Sequence, residues 1–202
     1  MLACVFLPVL GTCAKANYLY NGGFEENQGS LDGWSVFTTP DGTNGNGCPD
    51  VISFDASQPR IFSHAARFNV GALASSAAGG GIRQIVNLTQ GSFQLNVCTA
   101  VLNEAGEGNF DGGKFELLFD DEVVDSYDYG YVGSGMIYRR LLTGEVNAYR
   151  GEHEMIIRIT RGYQSSDQTP NQYLDCASLV IPEPATVLLA GVGLVLTRRK
   201  SK

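Results

Sequence analysis

Between residues 17 and 180 the chain alternates between apolar and polar positions. In the stretch 92–102, Phe93, Leu95, Val97 and Val101 fall on one face, with Gln94, Asn96 and Cys98 on the other. In 114–119, Phe115, Leu117 and Phe119 share a face; in 154–160, Met155, Ile157 and Ile159 do so, with Arg158 opposite. A period of two residues is that of a half-buried strand. Runs at 34–38, 51–54, 65–70, 82–88, 122–127, 137–142 and 173–180 carry the same signature. Breaks rich in Gly, Asn and Asp, such as 41–47 and 77–81, separate them. No amphipathic helix longer than two turns interrupts the series. About ten short strands with turn signals predict an all-β sandwich.

Both ends depart from this alternation. At the N-terminus an apolar run ends at Ala14-Lys15-Ala16, small residues at the spacing a signal peptidase favours. Cleavage after Ala16 makes residues 1–16 a signal peptide, although no basic residue precedes the apolar run. At the C-terminus, Pro182-Glu183-Pro184 is followed by the apolar run 185–196 and then by Arg198, Arg199 and Lys200. Twelve apolar residues fall short of the ~20 of a permanent spanning helix, and Gly191 and Gly193 weaken this one further. The basic cluster holds its end on the cytoplasmic side, so the preceding domain sits outside. Three segments result: 1–16, the body 17–180, and 181–202.

Charge sharpens the picture once the ends are set aside. Of 14 basic and 21 acidic residues, five basic and one acidic lie in the ends, leaving nine and twenty and a net charge of −11. A body this acidic repels nucleic acid and anionic lipid and suits cations, neutral glycans or plain solubility. It retains Cys48, Cys98 and Cys176, which allow one bridge in any of three pairings if exported. No CxxC spacing supports zinc or redox chemistry.

Pro182-Glu183-Pro184, the short apolar segment and the basic stop, in that order, resemble the PEP-CTERM sorting signal of exported bacterial proteins. That resemblance implies an exosortase as partner after signal peptidase, transient anchoring in the inner membrane by a short apolar helix, and delivery to the cell surface or extracellular matrix. A second resemblance frames the body. Asn21-Gly-Gly-Phe-Glu25 with Leu31-Asp-Gly-Trp34 is similar to the opening of galactose-binding-like jelly rolls, the fold of many carbohydrate-binding modules. The stretch 82–95, with Phe93 at a tyrosine position, resembles their central hairpin, and Tyr173-Leu-Asp-Cys-Ala-Ser-Leu179 their last strand.

Candidate chemistry is sparse. Asp175 is in phase with Ala177 and Leu179, which directs a carboxylate toward the apolar face, where it needs a partner or a cation. The jelly-roll resemblance implies that Glu25 and Asp175, from the first and last strands, hold a structural Ca2+ with backbone carbonyls completing its shell; the alternative is that both cap strand ends in water. Asp41, Asn44, Asn46 and Asp50 read as a solvated glycine loop. Tyr127, Tyr129 and Tyr131 alternate; if extended, they present three rings to a sugar face, or else pack on the flank of the sandwich or an inter-strand loop. Trp34 reads as core. His64 and His153 lie far apart, and Gly133-Ser134-Gly135 lacks a nucleophile-elbow frame, so no catalytic residue is assigned. The expectation is a non-catalytic surface or matrix protein that binds carbohydrate or exopolysaccharide. Its alternatives are a purely structural matrix component or, further off, a glycan-active enzyme.

Overall fold

The computed structural model describes residues 16–57, 63–73, 77–104, 111–162 and 170–182. The signal segment 1–15 and residues Glu183, Pro184, Arg198 and Arg199 lie outside them. Twelve strands are present among the described residues: β1 (Ser35–Thr38), β2 (Gly42–Thr43), β3 (Asp50–Ser53), β4 (His64–Phe68), β5 (Gly71–Ala72) and β6 (Ala78–Leu88) form the first half. β7 (Gly91–Leu102), β8 (Lys114–Phe119), β9 (Glu122–Asp128), β10 (Ile137–Ala148), β11 (Gly151–Arg161) and β12 (Asn171–Val180) follow. The sole helical element described is a 3-10 turn at Glu26–Gln28.

Two five-stranded antiparallel sheets stack. One runs β1-β6-β11-β8-β9, the other β10-β7-β12-β4-β3, and β2 and β5 form a small ribbon. The alternation read from sequence fills the space between them. Phe93, Leu95 and Val97 of β7 face Phe115 and Leu117 of β8 and Met155, Ile157 and Ile159 of β11, all fully buried. Each such side chain contributes roughly 1.5–3 kcal/mol by leaving water. Phe24 and Trp34 close one end, and the Trp34 indole donates to the Asn21 carbonyl at 3.1 Å. The N-terminal segment lies beside β12, with Tyr18 N donating to the Leu179 carbonyl at 2.9 Å. Gln84 fastens it from the other sheet, accepting from Tyr20 N and donating to the carbonyls of Tyr20 and Gly33.

Several local readings change. The glycine run at 77–81 is not a break but the start of β6. A Cβ at Gly79 or Gly81 would overlap a β11 carbonyl, and one at Gly80 would overlap Asn44, so only glycine allows this approach. β8 is buried on both faces: Glu116 is enclosed with Arg158 Nε at 2.8 Å and Lys114 Nζ at 2.7 Å. The loop 41–50 is not solvated throughout. Asn44 is buried and donates to the Phe37 carbonyl at 3.1 Å, while Asp50 pairs with Arg67 at 2.6 Å.

The register also corrects the phase of Asp175. It stands opposite Cys98, whose neighbours in β7 show that this is the outer face, not the one shared with Leu179. A bulge between Asp175 and Ser178 resets the alternation, with Cys176 at φ +53°. Asp175 is nevertheless fully buried. A second apolar cluster covers this outer face, built from Ala56, Ala65, Ala100 and Tyr173 with Phe54 stacked on Tyr173.

Candidate functional site

β9 and β10 are edge strands of opposite sheets, and they meet along one side of the sandwich. Thr143 N of β10 donates to Asp125 Oδ2 of β9 at 2.9 Å. Val124 covers Gly144, leaving no room there for a side chain. Exposed apolar side chains lie on these strands and the loops that extend them: Tyr127, Tyr131, Met136, Tyr138 and Tyr149, with Leu141, opposite Cys98, on the outer face of its sheet.

At one end of the seam Tyr127 and Tyr129 meet, but not as a flat row. β9 stops at Asp128, whose Oδ1 accepts from Gly130 N at 2.9 Å, and Gly130 turns the chain at φ +53°. The strand alternation that would align three rings ends there. Tyr129 turns into the flank, edge-on to Phe115, its hydroxyl donating to the Thr99 carbonyl at 3.0 Å. Burial pushes its pKa well above that of a free tyrosine, so it stays neutral. Tyr127 and Tyr131 remain 40% and 72% exposed, and the Tyr127 ring meets Tyr129 at 85°. The Arg140 guanidinium sits 5.1 Å from the Tyr127 ring centre, a cation–π pairing that fixes the ring's attitude.

At the other end the hairpin turns enclose a cleft of 610 Å³ lined by Glu122, Val123, Glu145, Asn147, Tyr149 and His153. Tyr149, at the tip of the β10–β11 turn, is 79% exposed. His153 holds the cleft's two turns together. Its Nδ1 lies 2.7 Å from Asp120 Oδ2 and its Nε2 2.8 Å from the Tyr149 carbonyl. With both partners acceptors, both ring nitrogens donate, and the Asp120 carboxylate raises the imidazole above its ordinary pKa. Neither this clamp nor Arg140 was visible in the sequence, because both depend on which strands come to lie side by side.

Glu25 and Asp175 converge on two consecutive residues. His64 donates its backbone N to Glu25 Oε1 at 2.7 Å, and its Nδ1 lies 2.6 Å from Oε2. Ser63 Oγ donates to Asp175 Oδ2 at 2.8 Å, and Cys176 N to Oδ1 at 2.6 Å. Burial raises the Asp175 pKa, and the negative charge of Glu25 adds to the effect. The desolvation that raises the Glu25 pKa is outweighed by the hydrogen bonds from His64, which leave it below its ordinary value. Each carboxylate oxygen keeps a lone pair beyond its hydrogen bond. Among the described residues no cluster of three or more His, Cys, Asp or Glu completes a shell, so carbonyls and water would have to supply the rest.

Residues 180–200 match the family model described as the PEP-CTERM protein-sorting motif. No curated protein matches the chain. Among solved structures the chain is similar to the carbohydrate-binding module TmCBM61 in complex with β-1,4-galactotriose, at 16% identity and a TM-score of 0.51, covering 83% of this chain and 99% of that one. It is also similar to the C-terminal family 22 carbohydrate-binding module of Clostridium thermocellum Xyn10B, at 15% identity and a TM-score of 0.47, covering 83% and 97%. The enzymatically active domain of bacteriophage CBA120 tailspike protein 4 matches at 15% identity and a TM-score of 0.48, covering 82% of this chain and 21% of that one. The chain thus carries a PEP-CTERM sorting motif behind a jelly-roll β-sandwich with the fold of a carbohydrate-binding module.

Proposed function

We propose that the protein is exported, sorted through its C-terminal motif, and binds carbohydrate at the cell surface without acting on it. The observation that carries the reading is the β9–β10 seam, where Tyr127 stands exposed beside the Arg140 guanidinium and Tyr131 stands exposed in the loop that follows β9. Sugar rings present C–H faces that stack on aromatic planes, and hydroxyls that donate to carboxylates and accept from amide and guanidinium N–H groups. The seam offers both kinds of partner, and TmCBM61, which shares the fold, was solved holding a galactotriose. A neutral or mildly basic polysaccharide suits a body of net charge −11, counted from nine basic and twenty acidic residues.

Export places the chain in the path of signal peptidase and then of an exosortase, with transient anchoring in the inner membrane between the two. Among the described residues no helix is long and apolar enough to cross a membrane. The proposed anchoring is assigned to the sorting motif at 180–200. Ca2+ at Glu25 and Asp175 belongs to the same proposal as a structural support, relieving the repulsion between two carboxylates held on Ser63 and His64. A glycan array probed with purified protein, with and without calcium, tests the function. Retention of a defined oligosaccharide supports it, and no retained glycan under either condition overturns it.

A further inference from the structure

β12 is the strand that leads into the sorting motif, so whatever holds the motif at the surface pulls on β12. Its midpoint is irregular. The bulge between Asp175 and Ser178 places two residues where the ladder has room for one. Cys176 absorbs the distortion at φ +53°, a conformation that costs an L-residue about 1 kcal/mol and that glycine or asparagine adopts more easily. A cysteine in such a position requires an explanation in its side chain. In a regular ladder, with Asp175 opposite Cys98 on the outer face, residue 176 would point into the core. The left-handed turn brings Cys176 outward instead, where it is exposed and its thiol interacts with that of Cys98, the residue opposite Asp175 on the neighbouring strand β7.

We propose that Cys98 and Cys176 are joined by a disulfide once the chain has been exported, stapling β12 to β7. The third thiol, Cys48, is committed elsewhere: it donates to Asn69 Oδ1 at 3.3 Å beside the Asp50–Arg67 pair. Of the three pairings the sequence allows, the fold therefore favours one.

The oxidant is a protein or small-molecule disulfide of the exported compartment. The Cys98 thiolate attacks one sulfur of that disulfide, forming a mixed disulfide and expelling one thiolate. The Cys176 thiol then loses its proton, and its sulfur displaces the second thiolate as the Cys98–Cys176 bond forms. The two cysteines give up two electrons and two protons, and the oxidant leaves as two thiols. The interaction with Cys176 lowers the Cys98 pKa, which favours Cys98 as the attacking sulfur. The finished bond closes a long loop between residues 98 and 176, the situation in which a cross-link constrains the unfolded chain most.

The test uses the full chain exported into an oxidising compartment. The protein is denatured in N-ethylmaleimide without reductant, digested and mapped by mass spectrometry. The expected result is a peptide containing Cys98 linked to one containing Cys176, with Cys48 alkylated. The same protein should melt roughly 10 °C lower after reduction. Cys48→Ser should keep that reductant response, whereas Cys98→Ser and Cys176→Ser should each lose it. Alkylation of both Cys98 and Cys176 in the exported protein, after incubation with oxidised glutathione as well, overturns the proposal. So does a cross-link from either residue to another cysteine. The peptide map decides on the wild-type chain, whether or not the variants fold.

Discussion

Replacing Gln84 by Leu removes a fastening while keeping the volume. Gln84 is 7% exposed on β6, and its amide does the work of a missing strand: it accepts from Tyr20 N at 2.8 Å and donates to the carbonyls of Tyr20 and Gly33, both at 3.0 Å. Leucine leaves three backbone groups without these partners. Each such bond is worth about 1 kcal/mol net, so the loss approaches ~3 kcal/mol if none is replaced. Tyr20 lies at the surface, so water recovers part of it, and about 2 kcal/mol is the expected cost. For a domain of this size that corresponds to a fall of roughly 6 °C in melting temperature. Circular dichroism gives the melting curve, and hydrogen exchange at the Tyr20 amide should speed up selectively. Gln94→Leu is the control, because its amide is exposed and only 3.5 Å from Thr143 Oγ1; it should stay within about 0.5 kcal/mol of wild type. A Gln84→Leu protein that melts with wild type and protects Tyr20 equally well would refute this account of how the N-terminal segment is held.

Three further outcomes are expected. His153, whose pKa is raised mainly by its hydrogen bond to Asp120, should confer stability that is full below its unfolded pKa of about 6.5 and is lost as pH rises through the higher folded value; Asp120→Asn should flatten that profile, and a wild-type melting temperature independent of pH across that window would reject the clamp. The protein should melt higher in millimolar calcium than in chelator, and Asp175→Asn should abolish the difference without loss of the fold; identical melting with and without calcium would reject the cation. Changing Pro182 and Pro184 to Ala should leave the protein in the inner membrane on cell fractionation, because the rigid element before the apolar run is lost while the basic stop remains; normal surface release would remove the case for exosortase processing.

The sandwich was legible because its core obeys a local rule. Phe93, Leu95 and Val97 alternate in sequence and are buried together, and the same holds for Met155, Ile157 and Ile159. Trp34 was placed in the core from its motif, and it lies there. What escaped depends on partners far away in the chain. The glycines of β6 read as a break because nothing local reveals the β11 carbonyls pressed against them. Asp175 was assigned to the wrong face because one bulged residue reverses the phase of everything beyond it. Tyr129 alternates with its neighbours in sequence, yet its ring and hydroxyl are taken up by Phe115 and Thr99, partners that no local pattern reveals. Arg140 and His153 gave no signal, since each acquires its partner only when β9 meets β10 or β8 meets β11.

The central claim is that the exposed tyrosines of the seam hold a sugar. Its most direct test is titration calorimetry of the oligosaccharide retained on the array, against wild type and the Tyr127→Ala/Tyr131→Ala double variant. Both rings are exposed, so the variant should melt within a few degrees of wild type. Two lost stacking contacts of about 1 kcal/mol each predict an affinity roughly 30-fold weaker. Equal affinity in the two proteins, with both folded, would contradict the assignment of the seam as the binding surface.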